Sequence, residues 1–161
     1  MLASLKTRRT VFAAALVTAL VAIPAIASAA TGASTRENLA AQAGYCQAFA
    51  SAPAPSLGKA QIATTAATEP GFHPVTLDVR VAGGKLPAGS YDVWLVNLYR
   101  DDAGEVIGCS ATQAGALTVK NGSATFRGSV DRYTGQYELQ VYVGSIGGPG
   151  YATHPVTVEV P

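Results

Sequence analysis

His73 and His154 open the same short phrase. His73-Pro74-Val75-Thr76-Leu77-Asp78-Val79 and His154-Pro155-Val156-Thr157-Val158-Glu159-Val160 match closely. Two such segments converging in space, with an Asp or Glu as third ligand, would make a metal site and a small metalloprotein or enzyme. Zinc sites use three or four protein ligands, and proline after each histidine holds that histidine extended, as strand entry requires. The expected role of both is therefore at a strand mouth, with metal binding the lesser reading. Asp101-Asp102-Ala103-Gly104-Glu105 has the composition of a calcium loop without the EF-hand spacing of acidic residues. Asp and Gly are ordinary turn formers, so a solvated turn is expected there. Val143-Gly144-Ser145-Ile146-Gly147 fails the nucleophile-elbow pattern at its first position. Gly147-Gly148-Pro149-Gly150 lacks the lysine of a phosphate loop and leads into a strand. No pair of carboxylates is singled out for glycoside hydrolysis. The chain is expected to be no enzyme and to carry no cofactor and no metal.

Two residues have a definite chemical expectation. Cys46 and Cys109 are the two cysteines, and an even count outside a reducing compartment points to a disulfide. The bridge would enclose 62 residues and contribute about 4 kcal/mol in the chain-entropy account. The spacing is not C-x-x-C, so a redox role is disfavoured. Among the aromatics, Tyr142 falls on the polar parity of its segment and Tyr151 lies beside a Gly-rich loop. Exposed tyrosines of this kind can anchor a binding surface.

The compartment follows from the N-terminus. Lys6, Arg8 and Arg9 precede an uncharged run from Val11 to Ile23, Pro24 breaks it, and Ala27 and Ala29 supply small residues. This is the order of a secretory signal peptide, expected over residues 1–29 with cleavage after Ala29 or Ala30. The thirteen uncharged residues before Pro24 are fewer than the roughly 20 of a spanning helix. The chain's net charge of +1 includes three of these basic residues. The remaining part has eight basic and ten acidic residues, a net charge of −2. A weakly acidic domain with no basic cluster argues against nucleic acid and anionic membranes as partners.

Residues 30–58, rich in Ala, Ser and Pro, are expected to be an arm or linker, with a short helix possible over Arg36 to Phe49 on the spacing of Leu39, Ala43 and Cys46. From residue 59 to 161 strand grammar takes over. Val75, Leu77, Val79 and Val81 alternate with Thr76, Asp78 and Arg80; Tyr137, Leu139, Val141 and Val143 alternate with Glu138, Gln140 and Tyr142; Val156, Val158 and Val160 repeat the pattern. Asn121-Gly122 calls for a type I′ turn, setting Lys120 against Ser123, Val119 against Ala124, Thr118 against Thr125 and Leu117 against Phe126. Asn121-Gly122-Ser123 is also a glycosylation sequon, which the turn already explains. Val93-Trp94-Leu95-Val96-Asn97-Leu98 is apolar on both parities, so both faces of that strand should be covered. One would meet the opposite sheet and the other the N-terminal arm, tethered through Cys46–Cys109. The expected fold is all-β, a small sandwich of about seven strands.

Val79-Arg80-Val81-Ala82-Gly83-Gly84-Lys85-Leu86-Pro87-Ala88-Gly89-Ser90-Tyr91-Asp92-Val93 resembles the second-to-third strand passage of secreted actinobacterial immunoglobulin-like proteins. Gly135-Gln136-Tyr137-Glu138-Leu139 resembles the later strand, where a Tyr after Gly forms a tyrosine corner. The resemblance implies an immunoglobulin-like β-sandwich with Trp94 in its core. Val81-Ala82-Gly83, Tyr91-Asp92-Val93, Val106-Ile107-Gly108-Cys109 and Asn121-Gly122-Ser123-Ala124 also resemble the apoproteins of enediyne chromoproteins, carriers of a small aromatic ligand. That family has two disulfides inside the domain, and this sequence lacks the cysteines for them. The expected function is secreted recognition or structural support, non-enzymatic, toward an extracellular protein or envelope component. The alternative is an extracellular carrier of a small apolar ligand.

Overall fold

The computed structural model describes residues 34–46, 56–67, 69–82 and 86–161. The expected signal peptide, residues 1–29, lies outside them. The described residues form nine strands and no helix: β1 (Ser34–Gln42), β2 (Gly58–Thr64), β3 (Phe72–Val81), β4 (Gly89–Arg100), β5 (Val106–Val119), β6 (Ala124–Tyr133), β7 (Gly135–Gly144), β8 (Gly150–Ala152) and β9 (Val156–Val160). All pairings are antiparallel. The hydrogen-bonded path runs β5-β4-β7-β8-β1-β2-β3-β6, with β9 beside β7. The result is a nearly closed all-β sheet. It is joined through β1, whose first part pairs β2 while Ala40–Gln42 pair β8.

The alternation of β3 places its side chains as expected. Val75, Leu77, Val79 and Val81 are buried and Arg80 is exposed. From the other side of the core come Val93, Leu95, Leu139, Val141 and Val143, each with no exposed surface. Gathering these aliphatic groups away from water is the main force holding the two halves together.

The segment from Arg36 does not form the helix its spacing allowed. It is strand β1 as far as Gln42. Thr35, Glu37 and Leu39 alternate with Ser34, Arg36 and Asn38, and six residues ladder against β2 from Ser34↔Ala63 to Leu39↔Gly58. Those cross-strand bonds and the burial of Leu39 in the core outweigh helical spacing. The strand count exceeds seven partly because of β1. It also does so because the β7 edge is shared by β8 and β9, separated at Thr153-His154-Pro155. Pro155 cannot donate to a ladder. Thr153 spans the break: its amide donates to the Val141 carbonyl and its hydroxyl accepts from the Val141 amide, both at 3.0 Å.

The Asn121-Gly122 turn is present, with positive φ at both residues (53° and 74°) and Lys120 bonded to Ser123 in both directions. Beyond it the expected hairpin register is not followed. Val119 pairs Gly89 of β4, and Ala124 pairs Val81 of β3. The two strands diverge to the opposite ends of the path, with Leu117 and Val119 buried in the core. Phe126 fills the seam they leave. Its ring occupies the space that side chains at Gly115 on β5 and Gly128 on β6 would need. Farther along, Arg132 Nη2 donates to Thr112 Oγ1 at 3.1 Å across the same gap.

Candidate functional site

β4 is apolar on both faces because it has two cores to serve. Val93 and Leu95 join the main core. Trp94, Val96 and Leu98 point the other way, into a second cluster with Tyr142, Ala152, Cys109 and Ala111. Tyr45, from the segment following β1, lies over this cluster with its ring 6.2 Å from that of Tyr142, edge-on. One residue on, Cys46 is bonded to Cys109 of β5, with Cα atoms 5.7 Å apart, an ordinary span for a disulfide. The tether expected from the sequence thus holds a cover on the outer face of β4 and β7.

This arrangement corrects two placements. Trp94 is not in the core between the sheets; it belongs to the second cluster. Tyr142 and Gln140, on the parity expected to face solvent, have no exposed surface. Gln140 Nε2 donates to the Thr153 carbonyl at 2.8 Å and to Gln42 Oε1 at 3.3 Å. Both sit beneath chain that precedes β2 in sequence, which local alternation cannot anticipate.

The second cluster in turn shapes a cleft. Trp94 Nε1 donates to the Gly144 carbonyl at 3.0 Å, and the Tyr142 hydroxyl donates to the Gly148 carbonyl. These bonds hold both ends of the loop between β7 and β8 from behind. Inside the loop the Gly148 amide donates to the Ser145 carbonyl at 3.0 Å, with Gly147 at φ 80°, the left-handed position that a tight turn gives to glycine. Between this loop, the end of β1 and the start of β4 is an open cleft of about 580 Å³. Tyr91 and Tyr151 supply its rings; Gln42, Ser90 and Ser145 supply polar groups, and among the described residues no charged side chain lines it. Tyr91 is oriented by its hydroxyl, which donates to the Pro87 carbonyl at 3.0 Å. Tyr151 is pinned between Ala41 and Val143 by backbone pairing. The rings are half-buried, with their inner parts against the main core.

The other sequence candidates fall elsewhere. His73 lies on β3 opposite Arg132 of β6, while His154 follows β8 on the other half of the fold. Among the described residues no group of three or more His, Cys, Asp or Glu side chains is placed to hold a metal ion. Asp101 caps its own turn, accepting from the amides of Ala103 (3.0 Å) and Glu105 (2.9 Å). Arg100 grips Glu138 with two guanidinium nitrogens and donates a third bond to the Gly104 carbonyl. The turn therefore satisfies its own polar groups. The sequence singled out Tyr151 as an exposed ring beside a Gly-rich loop, without a cleft, and missed Tyr91, Gln42 and Ser90. The Gly-Ser-Tyr start of β4, which repeats the Gly-Gln-Tyr start of β7, was the available signal.

No protein-family model, curated protein or solved structure matches this chain. Among the described residues no helix is long and apolar enough to cross a membrane.

Proposed function

We propose that this is a secreted, non-enzymatic recognition domain with an immunoglobulin-like build, and that its ligand seats in the cleft between Tyr91 and Tyr151. Two features support the build. β3 pairs β6 in one half and β4 pairs β7 in the other. The Tyr137 hydroxyl near the start of β7 donates to the Tyr133 carbonyl at 3.0 Å, the bond of a tyrosine corner. Export rests on the N-terminal sequence, and the Cys46–Cys109 bond is compatible with it.

The observation that carries the binding reading is the uncharged, buttressed cleft. Its walls are held by hydrogen bonds from Trp94, Tyr142 and Tyr91 before any ligand arrives, which lowers the ordering cost of binding. Tyrosine rings with hydroxyl and amide groups around them suit a neutral ligand that has one apolar face and a polar rim, as a sugar ring does. Among the described residues the lining has no carboxylate, imidazole or thiol to act as acid, base or nucleophile.

The test is a titration of the purified protein with neutral oligosaccharides, a tetramer of N-acetylglucosamine and maltotetraose, followed by amide NMR. Shifts confined to Gln42, Ser90, Ser145 and Tyr151, and abolished by Tyr151→Ala, are expected. Absence of shifts with both sugars, or shifts elsewhere, would remove the reading. Mass analysis of the protein from culture medium tests export: an intact residue 1–29 segment would contradict it.

The carrier of a small apolar ligand is the second reading, favoured by the cleft's volume, which is in the range of small-molecule sites. A cavity lined by Trp94 between the sheets is not what supports it, since Trp94 faces the other way. Organic extraction of the protein purified from medium, followed by mass spectrometry, separates the two readings.

A further inference from the structure

The outer face of β1, β2, β3 and β6 collects positive charge that is scattered in the sequence. Backbone register sets Arg36, Gln61, Asp78 and Arg127 in one row across the four strands. The neighbouring row is Asn38, Lys59, Arg80 and Thr125. Four of the eight basic residues beyond residue 30 thus lie on one face. Asp78 and Asp131 are the acidic residues that share its outward parity.

Lys59 and Arg80 stand directly opposite each other on adjacent strands, an arrangement that like charges make unfavourable. Asp78 is committed elsewhere. Arg80 Nε and Nη2 hold it at 2.8 and 2.9 Å, and Arg127 Nε at 3.0 Å. Arg36 has a long bond to Gln61 Oε1 at 3.4 Å, and among the described residues neither Arg36 nor Lys59 forms an ion pair. Two adjoining depressions of about 300 and 320 Å³ lie along these rows, and Gln61 and Asp78 line both. The face is therefore grooved and cationic, on a domain whose total charge beyond residue 30 is negative.

We propose that this groove binds an extended acidic polysaccharide through its carboxylates, at a site separate from the tyrosine cleft. Asp78 demonstrates the geometry: a guanidinium on this face already takes a carboxylate with two nitrogens. Arg36 and Lys59 are the cations left for ligand carboxylates. Sugar hydroxyls would pair with what these rows leave over: the Asn38 amide nitrogen, the second proton of Gln61 Nε2, which already donates to Ser34 Oγ, and the lone pairs of the Thr76 hydroxyl, whose proton goes to the Ala63 carbonyl. The two rows have no apolar anchor of the kind that protein partners need at the centre of an interface.

The experiment is calorimetric titration of the full protein with polygalacturonate at physiological salt, beside dextran, poly-L-glutamate and a single-stranded DNA oligomer. Polygalacturonate is expected to bind, more weakly as salt rises, and any dextran binding to be independent of salt and lost in Tyr151→Ala, because it belongs to the cleft. The Arg36→Gln/Lys59→Gln double variant removes exposed charges that hold no ion pair in the fold. It is expected to bind about tenfold more weakly, with an unchanged circular dichroism spectrum, while Tyr151→Ala binds as the parent does. No binding of polygalacturonate, or undiminished binding by the double variant, would overturn the proposal. Equal or tighter binding of poly-L-glutamate or DNA would overturn it in favour of an acidic protein or a nucleic acid.

Discussion

Tyr142 and Gly150 are packed so closely that the phenol takes the place a β-carbon at residue 150 would occupy. The Tyr142 hydroxyl then reaches the Gly148 carbonyl, so one side chain sets both the width and the tilt of the loop that walls the cleft. Gly150→Ala must push the ring or the loop away. A loss of about 1–3 kcal/mol is expected for overpacking of this kind, read as a lower urea midpoint with the same far-UV spectrum. Cleft binding should weaken with it.

Reduction of Cys46–Cys109, or the Cys46→Ser/Cys109→Ser pair, should have two separable effects. The unfolded chain regains its freedom, costing up to about 4 kcal/mol. The segment bearing Tyr45 is also released from the second cluster, leaving Trp94 wetter. A red shift of tryptophan emission at denaturant concentrations below the unfolding transition is the diagnostic. Emission that stays unchanged until global unfolding would mean that packing alone holds the cover in place.

Asp78 makes stability depend on acid. Hydrogen bonding from Arg80, with Arg127 adding to it, holds its carboxyl at about 2 against an ordinary 3.8, although partial burial pulls the other way. A carboxyl depressed in the fold contributes stability that is fully present above its unfolded value and is lost as pH falls toward the folded one. Urea midpoints measured from pH 6 to 2 should therefore decline between about pH 4 and 2. Asp78→Asn should be less stable than the parent at pH 6 and should lose less over that interval.

Tyr91 and Tyr137 make the same bond at the starts of two neighbouring strands, each hydroxyl donating at 3.0 Å to the carbonyl four residues back, Pro87 or Tyr133. Each Tyr→Phe change should cost about 0.5–1.5 kcal/mol. Because β4 and β7 are antiparallel, the two corners lie at opposite ends of the sheet. The double variant should therefore lose the sum of the two, as distant sites do. Equilibrium denaturation of the four proteins tests this, and a large coupling energy would contradict it.

Local pattern and tertiary outcome part company at identifiable residues. Inward positions of β3 and β9, the turns at Asp101 and Asn121, the disulfide and the cover over β4 were all legible, because alternation and turn chemistry are written into neighbouring residues. The strand in place of a helix at Arg36, and the burial of Gln140 and Tyr142, were not. Each is decided by chain arriving from far away: β2 for Arg36, and the segment from Gln42 to Cys46 for the other two. The cationic groove was invisible for the same reason. Arg36, Lys59, Arg80 and Arg127 are separated by at least 21 residues in the sequence, and register alone makes them neighbours.

The two cysteines and the doubly apolar run from Val93 to Leu98 were sufficient, from the sequence alone, to call for a bridge and for a second covered face. Which residues would fill that face, and what it would support, were settled only by the tertiary structure. Tyr142 buries its ring there and Trp94 packs beside it half-buried, and their polar atoms must then find partners. The partners within reach are the carbonyls of Gly144 and Gly148. A hydrophobic requirement that is legible in one strand thereby becomes the shape of a cleft, through hydrogen bonds that exist only once the distant segments have packed.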